Sequence, residues 1–411
     1  MQYGLLGEKL GHSFSPQIHA LFGLPDYELI EVSPGNLDKF LNDRNFDAIN
    51  VTIPYKQSVI PYCTELSASA SAIGAVNTIV NRSGKLYGAN TDYLGFCAMA
   101  SRAGISFSGK KVLVLGSGGT SLTASAAARD GGCRKHYTVS RHGEINYENV
   151  YERHGDADIL INTTPVGMYP NNGTSAVDPE RFPNLCGVLD VVYNPLKTAL
   201  ILKAHKLGIP ASGGLPMLVA QAKYAEELFF NRKIPDEKLE SVLRKIDAQK
   251  RNIILMGMPG CGKSSLGYEL SLLTNRPLRD IDELIVHEAG CSIPEIFEKS
   301  GEAVFRDIES AVLLREGKQG GSIISLGGGS ILREENRAAI IQNGFLVYVR
   351  RALDRLPTSG RPLSTDVQAL QHMYAVRGPI YSAYADCVCE NSGTIRELAK
   401  EVLGKFDNRE I

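Results

Sequence analysis

The chain has 411 residues, 43% hydrophobic and 22% charged, more than one ordinary core needs and enough for two or three domains. Its formal net charge of −1 divides into +1 up to Ile246 (24 Lys and Arg against 23 Asp and Glu) and −2 beyond it (20 against 22), so neither half has the basic excess of a nucleic-acid binder. No apolar run approaches the ~20 residues that span a bilayer, the eight cysteines form no CxxC pair and the eight histidines show no ligand spacing, which argues against a membrane span, a disulfide framework and structural zinc. The expectation is a cytosolic protein with reduced thiols.

Short β-branched runs alternate with longer helical stretches, the α/β pattern. Residues 1–7 read as a strand entering a turn, with no room for a signal peptide, and Ala48 to Ile53 as another. Each strand of this first stretch is expected to be followed by a helical segment. A second group of strands follows at Lys111 to Leu115, Tyr137 to Ser140, Asp158 to Asn162 and Gly187 to Val192. Met217 to Phe230 has a helical apolar period suited to a return to the first group, and residues 236–249 form an amphipathic helix after Pro235. A new strand begins at Asn252, after a junction near 247–251 without a Gly/Ser/Pro tract. The expected organisation is one α/β unit over 1–101 with the helix around 215–245 returning to it, a second over 102–214, and a third over 250–411.

In the first half, Gly11-His12-Ser13-Phe14-Ser15-Pro16 places two hydroxyls two residues apart, able to donate to one carboxylate. Lys56 stands beyond a strand end, and Asn77 and Asp92 add an amide and a carboxylate. Ketone reduction needs a proton donor where oxyanion charge develops, which a lysine beside an aspartate supplies. Gly116-Ser117-Gly118-Gly119-Thr120-Ser121 follows a strand and provides two glycines of GxGxxG, with Ser121 in the third place; alone this is a weak signal. The next strand ends in Ser140-Arg141-His142, where an NAD enzyme usually offers an acid to the ribose hydroxyls. Arg141 attracts a 2′-phosphate that a carboxylate repels, which favours NADP.

Together with Asn162-Thr163-Thr164-Pro165-Val166-Gly167-Met168 and Gly213-Gly214-Leu215-Pro216-Met217-Leu218-Val219-Ala220-Gln221, these residues resemble the shikimate dehydrogenases over roughly residues 1–245. The resemblance implies NADP(H)-dependent reduction of 3-dehydroshikimate by a substrate domain over 1–101 and a Rossmann domain over 102–214, with Lys56 and Asp92 as the catalytic pair. Ser13, Ser15, Thr52, Asn77, Tyr193 and Gln221 would hold the substrate. Gly116, Gly118, Gly119, Ser140, Arg141 and Gly214 would hold the cofactor, with Met217 near the nicotinamide. The family more often has glycine at Tyr93, where the change is expected to alter the substrate pocket, and asparagine at Ser140, where it is expected to weaken NADP preference.

In the second half, Gly257-Met258-Pro259-Gly260-Cys261-Gly262-Lys263-Ser264 fits GxxxxGK[ST] between a strand and a helical stretch from Ser265. Glycines let backbone N–H groups curl around phosphates, Lys263 reaches the β- and γ-phosphates, and the Ser264 hydroxyl is placed for Mg²⁺. Asp280 and Asp282 follow the next strand, on one face of the chain by strand alternation, able to share Mg²⁺ coordination and acceptance of a hydroxyl proton. Arg306 precedes Glu309 by three residues on one helix face, Gly327-Gly328-Gly329 ends a strand, and Arg361 and Arg377 come later.

From about Asn252 to Leu403 this set resembles the shikimate kinases, P-loop kinases of the nucleoside-monophosphate-kinase-like fold. The resemblance implies MgATP-dependent phosphorylation of shikimate. Asp282 would hold the acceptor hydroxyl, Asp280 would sit near Mg²⁺, and Arg306 and Arg377 would clamp the carboxylate, with Gly328 and Gly329 lining the site and Glu309 steadying Arg306. Gly257, Gly260, Gly262, Lys263, Ser264 and Ser265 would bind ATP, and Arg361 would reach the transferring phosphoryl group from a lid.

Overall fold

The computed structural model describes residues 2–11, 13–356 and 367–409. The chain divides into two compact units, Met1–Ile246 and Asp247–Ile411. Among the described residues no helix is long and apolar enough to cross a membrane.

The first unit contains two sheets. One is built from β1 (Tyr3–Gly7), β2 (Tyr27–Glu31), β3 (Ala48–Val51), β4 (Glu65–Leu66), β5 (Thr78–Arg82) and β6 (Lys85–Ala89), in the order β2-β1-β3-β5-β6-β4. Its β1–β3 core is parallel, whereas β5 runs antiparallel to both β3 and β6. The strand-then-helix expectation fails at β5, which forms a hairpin with β6. Ser83 and Gly84 take φ of 53° and 84°, the conformation of a two-residue turn that matches strand twist, so the chain reverses without a helix.

The second sheet is wholly parallel: β7 (Lys111–Leu115), β8 (Lys135–Val139), β9 (Ile159–Asn162), β10 (Gly187–Asp190) and β11 (Ala211–Ser212), ordered β11-β10-β9-β7-β8. β7, β9 and β10 are buried at every position. Their unbroken apolar reading is that of central parallel strands covered on both faces, and the polar residues of β8 belong to an edge.

The second unit has one parallel sheet in the order β13-β14-β12-β15-β16, from β12 (Asn252–Met256), β13 (Leu278–Asp280), β14 (Ile323–Ser325), β15 (Gly344–Arg350) and β16 (Cys387–Glu390). Its core gathers Ile253 and Leu255 of β12, Val347 and Val349 of β15, and Leu398 and Val402 of the helix Ile395–Asp407.

In the first unit the helix Thr91–Arg102 lies against Leu215–Phe230, the segment expected to return to the first strands. Gly95 permits that contact: a Cβ there would stand 2.7 Å from the Met217 carbonyl oxygen and 3.0 Å from the Gln221 Cβ. Both helices carry site residues, so their separation matters. We expect Gly95→Ala to destabilise the first unit by about 1–3 kcal/mol, the usual cost of overpacking, read as a lowered urea midpoint.

Candidate active sites

In the first unit a cavity of about 260 Å³ is lined by Ser13, Ser15, Asn50, Thr52, Lys56, Asn77, Asp92, Thr120, Tyr193, Gly214, Met217 and Gln221. Residues spread over more than 200 positions of sequence thus meet in one place. Lys56 Nζ donates to Asp92 Oδ2 at 2.6 Å, with side chains 26% and 18% exposed, so the pair is half-desolvated yet still open to proton exchange with water.

Local hydrogen bonds fix this pair. Asp92 lies in the first turn of its helix, where unpaired N–H groups favour a carboxylate. Asn90 caps that helix by accepting from Tyr93 N at 3.0 Å, while its amide donates to the Ala75 carbonyl. Asn77 Oδ1 accepts from Thr91 N at 2.6 Å, and the Lys56 carbonyl accepts from Val76 N at 2.8 Å. The segments around 56, 76 and 91 are thereby tied to one another. Ser13 Oγ and Ser15 Oγ stand 3.2 Å apart at the start of the helix Ser15–Phe22. Burial pushes up the Tyr193 phenol, whose ring meets Phe14 edge-on at 6.1 Å.

Sequence reading passed over Asp190, the fully buried carboxylate that ends β10. It accepts from Asn162 Nδ2 at 2.9 Å, Val192 N at 3.0 Å and Thr198 Oγ1 at 2.6 Å, bracing the loop that carries Tyr193. Burial pushes its carboxyl up to about 6. A lone acid closing the apolar run Val188-Leu189 is the signal that marked it. Tyr93 is a correction: it does not line the substrate cavity, because its hydroxyl points to Asp130 and donates to Oδ2 at 2.6 Å.

At the dinucleotide turn Gly116 has φ of 105°, and a Cβ there would press to 2.9 Å from Thr163 Oγ1. Gly118 precedes the helix Gly119–Asp130, whose N-terminus, the end of a helix that suits an anion, follows the turn directly. Ser121, in the third glycine's place, is buried and donates to the Gly118 carbonyl at 2.6 Å, so it braces the turn. Gly116 N donates to the Val139 carbonyl at 2.8 Å, which sets the end of β8 beside this turn, with Ser140 and an exposed Arg141 next in the chain. These features fit a dinucleotide bearing a 2′-phosphate.

In the second unit a cavity of about 640 Å³ is lined by Gly260, Gly262, Lys263, Ser264, Ser265, Asp280, Asp282, Arg306, Glu309, Gly328, Gly329 and Arg377. Arg361 lies outside the described residues. Gly257, Gly260 and Gly262 have φ of 151°, 79° and 101°, values that favour glycine. Lys263 Nζ donates to the Gly257 and Met258 carbonyls at 3.1 Å each, and Asn391 Nδ2 holds the loop from outside through the Cys261 carbonyl at 2.7 Å.

Asp280 and Asp282 come together by helix capping, not by strand alternation. Asp280 ends β13 and caps the helix Ile281–Ala289, its Oδ1 accepting from Asp282 N at 3.1 Å. Its other oxygen accepts from Ser264 Oγ at 2.7 Å. One hydroxyl and two carboxylates are the hard oxygen donors Mg²⁺ takes, and phosphate oxygens would complete the shell. Burial, then the neighbouring Asp280 and Glu309, push the Asp282 carboxyl up to about 6.

Arg306 Nη1 donates to Glu309 Oε2 at 2.9 Å and Nη2 to Glu302 Oε1 at 3.0 Å, while Ser330 Oγ donates to Glu309 Oε1 at 2.6 Å. Space is tight at all three glycines. A Cβ on Gly327 would lie 2.6 Å from Glu309 Oε1, on Gly328 2.8 Å from Pro259 Cγ, and on Gly329 2.5 Å from Arg306 Nη1. Sequence reading also missed the apolar wall of Ile293, Phe297, Phe305 and Met373, and it missed Arg351.

Two family models match the chain: the shikimate dehydrogenase substrate binding domain over residues 5–79 and shikimate kinase over residues 259–407. A shikimate dehydrogenase (NADP(+)) of Clostridium beijerinckii is 39% identical over 264 residues, covering 59% of this chain and 97% of that protein. Among solved structures, a chorismate mutase/shikimate 5-dehydrogenase fusion protein from Clostridium acetobutylicum is 35% identical with a TM-score of 0.56, covering 60% of this chain and 96% of that one. The shikimate 5-dehydrogenase of Thermus thermophilus, solved with NADP(H) and shikimate, is 30% identical with a TM-score of 0.53, covering 60% of this chain and 99% of that one.

The raised Asp282 carboxyl has a stability consequence of definite sign. Its folded value near 6 lies above the ~3.9 of an unfolded aspartate, so the folded state holds the proton more tightly and loses stability as pH rises between them. Asp282→Asn removes that loss. We expect the variant to gain on the parent chain as pH rises from about 4 to about 6, levelling at about 1–3 kcal/mol above that, in denaturant titrations across the range.

Proposed function

Because the chain belongs to the shikimate dehydrogenase family and carries a shikimate kinase domain behind that unit, we propose that one polypeptide performs two consecutive reactions. It reduces 3-dehydroshikimate to shikimate with NADPH, then phosphorylates shikimate from MgATP to shikimate 3-phosphate, in the cytoplasm where both cosubstrates are supplied. The observation that carries this reading is common to both cavities: each joins a proton-handling side chain to groups suited to a small hydroxylated carboxylate.

In the first reaction bound NADPH supplies the hydride. Ser13 and Ser15 hold the substrate carboxylate, and Thr52, Asn77, Tyr193 and Gln221 its remaining polar groups. Lys56 gives its proton to the carbonyl oxygen as charge develops there, and Asp92 keeps the ammonium aimed at 2.6 Å. Met217 and Gly214 flank the nicotinamide. Gly116, Gly118 and Gly119 take the pyrophosphate, and Ser140 with Arg141 takes the 2′-phosphate. Residues 1–101 with the returning helix serve the substrate, and 102–214 serve the cofactor.

In the second reaction, within 250–411, bound MgATP supplies the phosphoryl group. The acceptor oxygen bonds to phosphorus as the bond to the ADP oxygen breaks, and Asp282 takes the hydroxyl proton. Lys263 steadies the phosphates, Ser264 and Asp280 supply Mg²⁺ ligands, Ser265 stands beside them, and Arg306 with Arg377 holds the carboxylate. Arg361, in its family role, meets the phosphoryl group.

The test is an assay of the purified chain with dehydroshikimate, NADPH and MgATP, in which shikimate 3-phosphate forms only when all three are present. Lys56→Ala is expected to slow reduction by ~10²-fold or more, leaving phosphorylation of added shikimate at the parental rate. Arg141→Ala should weaken NADP⁺ binding by about 1.5–3 kcal/mol, the worth of a charge-assisted hydrogen bond, with little change for NAD⁺. Equal losses for the two dinucleotides would remove Arg141 from the 2′-phosphate.

A further inference from the structure

We propose that Arg351 contacts the phosphoryl group that passes between ATP and shikimate, a cation delivered by the end of β15 in addition to the lysine of the phosphate loop. The inference rests on the kinase reading of the second unit. It begins with register: β15 pairs in parallel with β12 as far as Met256 opposite Tyr348. One residue further, Gly257 comes so near the next turn of β15 that a Cβ would lie 2.4 Å from the Val349 carbonyl oxygen. The residues that leave β15 therefore emerge against the start of the phosphate loop.

Two arginines leave there, and they are disposed differently. Arg350 is tied to Glu390, its register partner on β16, and does not line the cavity. Arg351 lines it, together with Pro259, Gly260, Lys263 and Arg377. Its Nε is buried and has no hydrogen-bond partner among the described residues. The neighbouring cations are differently placed: Arg306 is held by Glu302 and Glu309, and Lys263 by two carbonyls of its own loop. A buried guanidinium N–H without an acceptor is costly, and the planar fork of arginine matches phosphate oxygens in a way an ammonium does not. Arg306 and Arg377 already form a pair for the carboxylate, which leaves the phosphate as the anion for an arginine beside the loop.

The test measures equilibrium binding, in the presence of Mg²⁺, of ADP, an imido-bridged ATP analogue, shikimate and shikimate 3-phosphate to the full chain and to Arg351→Ala. The ATP analogue and shikimate 3-phosphate, which carry the phosphoryl group in question, are expected to weaken by about tenfold or more, ADP and shikimate by less than about twofold. Arg351→Lys, retaining charge without the fork, should recover part of the loss, and Arg351→Gln with an unaltered urea midpoint secures the comparison against a folding defect. Unchanged binding of all four ligands overturns the proposal. So does an equal loss for ADP and the analogue, which assigns Arg351 to the inner phosphates, or a loss confined to shikimate, which assigns it to the carboxylate. Failure of the parent chain to phosphorylate shikimate is a separate result, striking the kinase reading itself.

Discussion

Parallel strand pairing governs where chemistry can occur in this chain. Parallel strands end on the same side, so the loops leaving their carboxyl ends are gathered along one edge, and helix N-termini return to that edge with unpaired N–H groups. The dinucleotide turn follows β7, Arg141 follows β8, the Asp190 brace and Tyr193 follow β10, and the phosphate loop follows β12. Asp280 and the three glycines stand at the ends of β13 and β14, and Arg351 immediately after β15. Residues far apart in sequence converge because backbone hydrogen bonding leaves them no other edge.

Charge is handled differently in the two cavities. In the first, one lysine and one aspartate neutralise each other at 2.6 Å, and neutral hydroxyls and amides do the rest. In the second, Asp280, Asp282 and Glu309 stand among Lys263, Arg306, Arg351 and Arg377. Such crowding is costly unless each charge is answered. Asp280 and Glu309 are answered by hydrogen bonds from Ser264, Asp282 N, Ser330 and Arg306. Asp282 takes no such donor among the described residues and keeps its proton to a higher pH, the disposition of a group that must exchange one.

Much of this was legible in the sequence because the motifs encode backbone geometry. Glycines at 257, 260 and 262 announce positive φ, and the runs at 111–115 and 252–256 announce buried strands, which appear with those same bounds. What could not be read depends on packing across distant segments. The glycine triplet looked like a place for bare amides, yet its spacing answers to Pro259, Glu309 and Arg306, side chains no local pattern connects. Tyr93, standing where the family more often has glycine, suggested an altered pocket, but one helical step from Asp92 turns it about 100° away, toward Asp130. Asp280 and Asp282 looked like alternate strand positions and are instead a cap and its first turn, since β13 stops at Asp280. Arg351 was hidden in a doublet whose two members look alike until Glu390 claims one of them.

Among the described residues, the core cluster around the second unit's sheet shares no residue with the clusters around the first unit's two sheets, and no strand pairs into sheets of both units. A lesion confined to one cavity therefore touches none of the residues that line the other. In genetic terms, a single locus would behave as two complementation groups: two copies of the gene, each carrying a null allele for a different step, would together supply the whole sequence through freely exchanged intermediate. Selection can then tune, weaken or discard either activity without first solving the folding problem of its neighbour.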